Sequence, residues 1–316
     1  MNKHEKEKNF VSAVVYIHDE PAQVNKFLHL IKKTLEDNFL HSEIICVIDD
    51  ADESIMNIIR QLGTDQGGNV SISSLKMGSY HGVEMAMTAG VDLAIGDFVF
   101  EFDSTIDDFT ADTIMEVYCK SLQGYDIVCA VPEKGQLLTS KLFYYIFSKF
   151  STAKLQMVTE RFRIISRRAI NRISSMNKTV PYRKVVYAGC GFPLFECFYT
   201  PVPGGGGMPH TSEEKHYRRS LAIDTMLLFT DVGYRISMFL TSMMMLIAIV
   251  TGCYGVVVYV TSSPISGWTT TICFMAFAFF TLFLILTIIM KYLQLILNLV
   301  FKKKQVCFEG VEKITN

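Results

Sequence analysis

The chain has 316 residues, half of them hydrophobic, and a formal net charge of −1. That length allows one large domain or two smaller ones, and the near-neutral charge excludes a nucleic-acid partner held by bulk electrostatics. The eight cysteines are scattered without a C-x-x-C pair, which argues against zinc and against a disulfide framework.

Residues 1–9 form a charged tail with no apolar h-region, so they do not read as a signal peptide. Beyond them, short apolar runs alternate with amphipathic patterns. Val11 to Ile17 predicts a strand and Pro21 to Leu35 a helix. Glu43 to Ile48 predicts a second strand, followed by a helix around Glu53 to Leu62. Val70 to Leu75 is a third strand, His81 to Ile95 a helix, and Phe98 to Phe102 a fourth strand. A helix from Thr110 to Leu122 then leads to a fifth strand, Tyr125 to Val131. Strict alternation of this kind predicts an α/β fold, a mostly parallel sheet with helices on both faces.

Ligands of such sheets sit beyond the carboxyl ends of the strands. Asp19-Glu20, Asp49-Asp50 and Asp103 all fall at such ends, so three strands aim acids at one rim. The stretch EFDSTIDDF, Glu101 to Phe109, is the most acidic of them. Its acids read either as a metal site or as a solvated turn in which Asp107 and Asp108 begin the next helix, and for Asp108 the helix start is preferred.

Downstream, Leu137 to Phe150 reads either as a core helix or as one lying in a membrane interface. Pro201 to Pro209, PVPGGGGMP, reads as a linker or as a flap over a site. Residues 211–234 are expected to form a juxtamembrane or interfacial helix. From Ile236 to Met290 there is no Asp, Glu, Lys or Arg, a run long enough for two membrane spans of about 20 residues each. Residues 235–300 are therefore expected to form a two-helix hairpin turning near 261–267. Arg218, Arg219 and Arg235 precede the first span, and Lys291 and Lys302 to Lys304 follow the second. Positive flanks stay cytoplasmic, which places the large domain, both termini and a 301–316 tail on the cytoplasmic side.

Five segments, in order, carry a resemblance to a known family. Val14 to Glu20, VVYIHDE, resembles the first strand of family 2 glycosyltransferases, written VVIPVYNE. Ile44 to Ser54, IICVIDDADES, resembles IIFVDDGSTD. Gly82 to Asp97 resembles G-x-x-A-A-L-N-A-G-x-x-x-A-x-G-D, Phe102 to Asp108 stands in the place of MDADLQD, and Glu160 to Arg168, ERFRIISRR, resembles GDFRLMSRR. With the paired C-terminal spans, the layout is similar to the polyprenyl-phosphate sugar transferases, dolichol-phosphate mannose synthase among them. The resemblance implies a GT-A fold over residues 10–210.

It also implies a metal-dependent enzyme that takes a nucleotide-sugar donor, a Mg²⁺ or Mn²⁺ ion and an undecaprenyl or dolichyl phosphate acceptor. A membrane lipid environment and a homo-oligomer are implied as well. On these positions the metal would sit on Asp103 and Asp107. Asp103, Glu160 and Arg163 are the candidate catalytic residues, Glu160 as base or acceptor-orienting group and Arg163 as a phosphate-holding guanidinium. Glu20, Asp49, Asp50 and Gly82 are candidates for binding the donor, and the same acids also suit helix caps. Gly82 and Gly90 permit close backbone approach. Lys215 and Arg218 are placed to meet a lipid headgroup or to flank the first span.

The chain departs from the family pattern three times. The Asp-x-Asp of relatives is here Asp103-Ser104-Thr105. The arginine-bearing segment after the fifth strand is replaced by Val131-Pro132-Glu133-Lys134-Gly135. Arg161 stands where relatives have an acid before Phe-Arg. These departures leave two alternatives open: a transferase acting on a glycan, and a non-catalytic GT-A scaffold.

Overall fold

The computed structural model describes residues 6–18, 21–49, 53–64, 69–133, 160–175, 182–202, 219–226 and 308–313, with single helical positions at 145, 147 and 149 and between 236 and 296. The chain divides into two compact units, one of Met1–Ser148, Leu155–Leu221 and Lys304–Asn316, the other of Lys149–Lys154 and Ala222–Lys303.

In the first unit the elements run β1 (Val11–Ile17), α1 (Pro21–Asn38), β2 (Ser42–Ile48), α2 (Glu53–Thr64), β3 (Val70–Met77), α3 (Val83–Leu93), β4 (Phe98–Phe102), α4 (Ala111–Ser121), β5 (Ile127–Pro132), β6 (Phe162–Ser166), α5 (Arg167–Ser175), α6 (Arg183–Gly189), β7 (Leu194–Tyr199) and β8 (Phe308–Lys313). One sheet takes all eight strands in the order β7-β5-β6-β4-β1-β2-β3-β8. The pairs β1–β2, β1–β4, β2–β3 and β5–β7 are parallel. The pairs β4–β6, β5–β6 and β3–β8 are antiparallel. The α/β reading and the first five strands are thus as expected, but two features were not legible. The motif ERFRIISRR supplies a strand, β6, that wedges antiparallel between β4 and β5. The tail expected at 301–316 returns to the sheet and pairs with the β3 edge.

Burial explains the central strands. Every residue of β1 is buried, because helices cover both faces. One face carries α1, α2 and α4, with Val24, Phe27, Leu28, Ile31 and Leu35 of α1 forming a stripe at helical spacing against β1, β2 and β4. Each such side chain, fully buried, contributes about 1.5–3 kcal/mol. The other face carries α3, α5 and α6, packed on Val14, Val47, Val99 and Ile165. There α3 comes close because residue 90 is glycine: a Cβ at Gly90 would lie 2.5 Å from both Val14 Cγ1 and Val47 Cγ2. Behind the end of β4, Phe27, Phe102, Phe109 and Phe162 form an aromatic cluster, with the Phe109 and Phe162 centroids 4.6 Å apart. Phe109 therefore anchors the far end of the acidic loop in the core.

In the second unit, large apolar side chains at helical positions 236, 239, 246 and 250, and again at 282, 286, 289, 293 and 296, are exposed. Among the described residues no helix is long and apolar enough to cross a membrane. Most of the expected hairpin, and its turn near 261–267, lies outside the described residues, as does most of 211–234.

Candidate active site

The site grows from the carboxyl end of β4. Glu101 and Asp103 lie two residues apart on this strand and its extension, so both face the side covered by α3 and α6. Directly across from Glu101 in the antiparallel register is Arg163 of β6. Arg163 is buried, with 1% of its side chain exposed, and its Nη2 lies 2.6 Å from Asp103 Oδ2 and 3.2 Å from Glu160 Oε1. Its Nη1 is 3.3 Å from Glu101 Oε2, and its guanidinium stacks over the Tyr187 ring at 5.1 Å. The wedge of β6 between β4 and β5 is what brings Asp103, Glu160 and Arg163 together.

Arg183 and Tyr187, one turn apart on α6, close the cluster. Arg183 Nη2 donates to Asp103 Oδ1 at 2.5 Å, Nη1 to Glu101 Oε2 at 2.6 Å, and Nε to Glu84 Oε2 of α3 at 3.1 Å. Tyr187 donates its hydroxyl to the other Glu101 oxygen at 2.6 Å. Lys184 Nζ stands 3.5 Å from Glu160 Oε1. None of Glu84, Arg183, Lys184 and Tyr187 was singled out from the sequence. The available signal was the pair of carboxylates inside apolar elements, Glu101 in FVFEF and Glu84 in GVEMAM. A buried charge of that kind requires a charged partner.

The electrostatics separate the two acids of β4. Burial pushes the Glu101 carboxyl above its ordinary range, against the pull of Arg183 and Arg163. Burial acts the same way on Asp103, but Arg183, Arg163 and Lys184 outweigh it and hold that carboxyl well below the usual range. Burial, then the neighbouring Glu101 charge, raises Tyr187 well above an ordinary phenol, so it stays a donor. Asp103 keeps 23% of its side chain exposed, and it is the acid of this cluster open to a ligand.

A hard divalent cation fits this donor. Each oxygen of an ionised carboxylate has two lone pairs, and each Asp103 oxygen spends one on a guanidinium. Such cations are commonly held by one or two carboxylates plus substrate phosphates rather than by an all-protein cage. Among the described residues no group of three or more His, Cys, Asp or Glu side chains forms a metal cage. Thr105, in the place of the second acid of the motif, is fully buried, and its carbonyl accepts from Gln23 at 3.2 Å. Asp107 is on the same loop, its carboxylate 2.5 Å from Lys26 Nζ and apart from the arginine cluster.

Asp108 differs from its sequence reading. It does not begin α4, which is capped by Thr110 accepting from the Thr113 amide. Asp108 is buried and takes a two-pronged pair from Arg161, Nε at 2.9 Å and Nη2 at 2.5 Å, with the Tyr199 hydroxyl donating at 2.9 Å. Arg161 reaches it because the strand β6 starts beside the loop. This latch fixes the loop that presents Asp103 and Asp107.

Asp49, read as a donor-binding acid, is fully buried at the end of β2. Its oxygens accept from the His81 amide at 2.9 Å, the Gly82 amide at 2.8 Å and the Tyr16 hydroxyl at 3.1 Å. In this geometry its carboxylate serves the turn into α3. Gly82 sits in that turn with φ of 78°, a conformation that favours glycine. His18 lies nearby, its Nδ1 2.8 Å from the Asp49 carbonyl oxygen and its ring 5.4 Å from that of Tyr80. Arg167 and Arg168 hold the opposite end of the sheet, on the Ala94 and Gly96 carbonyls and on Asp126. Glu20, Asp50, Lys215 and Arg218 lie outside the described residues.

A parallel sheet flanked by helices, with an acidic loop after the fourth strand and an antiparallel strand wedged beside it, defines a GT-A fold. The comparisons agree. Over 185 residues the chain is 27% identical to the bactoprenol glucosyl transferase of Shigella phage SfV, a match covering 57% of this chain and 58% of that protein. Over 188 residues it is 26% identical to the uncharacterized glycosyltransferase sll0501 of Synechocystis sp., covering 58% of each. The chain thus matches a little under three fifths of the length of these curated relatives. It is similar in structure to mannosyltransferase PcManGT from Pyrobaculum calidifontis, solved with GDP-Man and Mn²⁺. That likeness has a TM-score of 0.50 and 14% identity, and covers 70% of this chain and 63% of that one. No family model matches. The curated relatives are glycosyltransferases and the fold is shared, as the motifs implied.

Proposed function

We propose that the chain is a membrane-anchored, inverting glycosyltransferase that moves one sugar from a nucleotide-sugar to a polyprenyl phosphate at the cytoplasmic face. The observation that carries this reading is Asp103: a part-exposed, firmly ionised carboxylate at the end of β4, clamped by Arg163 and Arg183, with Glu160 held on the same Arg163. The relatives named bactoprenol glucosyl transferase support the acceptor class.

In this reading Asp103, with the donor's own phosphates, would hold Mg²⁺ or Mn²⁺, and the ion would supply positive charge to the departing diphosphate. The acceptor oxygen attacks the anomeric carbon as the bond to the diphosphate breaks, so configuration inverts. A phosphate monoester has a second pKa of about 6, so the acceptor is anionic near neutral pH and needs placement more than proton abstraction. In this reading Glu160, paired with Arg163 and Lys184, would hold Lys184 where its ammonium can meet the acceptor phosphate. The latch of Asp108 on Arg161 keeps the loop from drifting.

Two observations support the membrane setting. Large apolar side chains of the second unit are exposed at helical positions on both sides of the expected turn. The chain also returns from 222–303 to the first unit, where residues 308–313 pair with β3. A two-span hairpin would account for this, since it would return the chain to the side of the bilayer it left.

The test is direct: purified protein, polyprenyl phosphate, Mn²⁺ and radiolabelled nucleotide-sugars, with the product partitioned between chloroform–methanol and water. Label is expected in the organic phase. Label only in an aqueous glycan would move the reading to a glycan acceptor, and no transfer from any common donor would end it.

A further inference from the structure

The charge around Asp103 is organised by a residue outside all five family-like motifs. Arg183 is buried, and its three nitrogens each serve a different carboxylate: Nε on Glu84 of α3, Nη1 on Glu101 of β4 and Nη2 on Asp103 beyond β4. Its own backbone amide donates to Glu84 as well, at 2.8 Å, so the first residue of α6 is tied to α3 twice. A guanidinium has the planar fork to span three acceptors, which an ammonium does not.

The need for such a clamp follows from the altered acidic motif. With Thr105 buried and Asp107 engaged by Lys26, a cation at this site would rest on one carboxylate of the cluster. A lone aspartate past the end of a strand can turn about its side-chain bonds. Here Arg163 holds one oxygen and Arg183 the other, so the carboxylate plane is set from both sides. The cluster also counts four carboxylates, Glu84, Glu101, Asp103 and Glu160, against three cations, Arg163, Arg183 and Lys184. That leaves at most one net negative charge, so the remaining charge of a divalent ion would be met by the donor's phosphates.

We infer that Arg183 is a positioning residue: it sets the orientation of Asp103 for a divalent cation and couples that orientation, through Glu84, to the helix that follows the Gly82 turn. The inference rests on the cation role of Asp103 proposed above. It makes a claim that simple electrostatics contradicts. Removing a positive charge beside a cation site should tighten cation binding, whereas losing the clamp should weaken it.

The experiment titrates Mn²⁺ alone into the full-length protein in detergent and reads the free ion by electron paramagnetic resonance, with thermal unfolding followed in parallel. Both Arg183→Lys, which keeps the charge and loses the fork, and Arg183→Gln, which loses both, are expected to raise the Mn²⁺ Kd about tenfold. Glu84→Gln, distant from the ion and milder for the fold, is expected to raise it about threefold, and this variant decides the matter if the Arg183 variants do not fold. A folded Arg183→Lys or Glu84→Gln with the wild-type Kd, or an Arg183→Gln that binds more tightly, overturns the inference while leaving Asp103 as the ligand. A wild type that binds Mn²⁺ no better than Asp103→Asn would show that Asp103 does not hold the free ion, and would overturn this inference while leaving the transferase reading to the labelled-sugar test.

Discussion

Two acids at strand ends on either side of β1, Asp49 after β2 and Asp103 after β4, have similar sequence settings and opposite environments. Asp49 is fully enclosed and satisfied by neutral donors, two amides and a phenol. Asp103 is held by two guanidinium groups and stays part-exposed. A carboxylate bonded to backbone amides is spent on the shape of a turn. One held by two buried guanidinium groups at a rim, and still part-exposed, keeps acceptor capacity for a ligand. Position at the carboxyl end of a strand thus nominates an acid, and the chemistry of its partners decides its work.

The sharpest way to break this contrast is to neutralise each acid. Asp103→Asn is expected to lower kcat/KM by about 1000-fold, a loss of the size seen when a key electrostatic group is removed. Its unfolding midpoint should move less than that of the Asp49 variant. Asp49→Asn should show the converse, a stability loss of about 2–3 kcal/mol, because hydrogen bonds to a buried charge are among the stronger ones. Thermal unfolding measures it, and kcat per folded molecule should stay within a few-fold of wild type. If Asp49→Asn instead left stability intact and raised only the donor KM, the assignment of Asp49 to the fold would be wrong.

A packing control sits on the same helix-covered face. Gly90→Ala drives a methyl into Val14 and Val47 and should cost about 1–3 kcal/mol, again without changing kcat per folded molecule. The smallest effect belongs to a third acid, Asp126, at the other end of the sheet. Burial there is outweighed by hydrogen bonds from Arg168 and Ser166, so its carboxyl lies below the ordinary range. An unfolded aspartate titrates near pH 3.9, so the stabilisation is present above that value and lost as pH falls through the lower folded one. Arg168 is largely exposed, which discounts the charge contribution. Asp126→Asn should therefore cost about 1 kcal/mol at pH 7, and the gap from wild type should shrink on acidification below pH 4. A gap independent of pH would show that the carboxylate charge plays no part.

Much of the scaffold was legible. The alternation of apolar runs placed β1 to β5 and their helices within a few residues, since buried parallel strands must be continuously apolar and covering helices must be striped. Asp103, Glu160 and Arg163 were legible as candidates through motif order, although Arg163 serves the carboxylates and is buried from any open phosphate site. Asp108 was misread because acids are common at helix starts, and only the arrival of Arg161 from β6 shows it as a latch. Arg183 was invisible because its partners, Glu84 and Asp103, are about 80 to 100 residues away in the chain, and local patterning carries no information over that span.

By itself the sequence determined the layers of this protein: periodicity and apolar length follow from each residue's own affinity for water, a local property. It also determined which acids could gather at the rim. Which of them remain available was decided only by tertiary structure. Ionisation and free lone pairs depend on what lies within hydrogen-bond reach, and that depends on the antiparallel entry of β6 and the docking of α6.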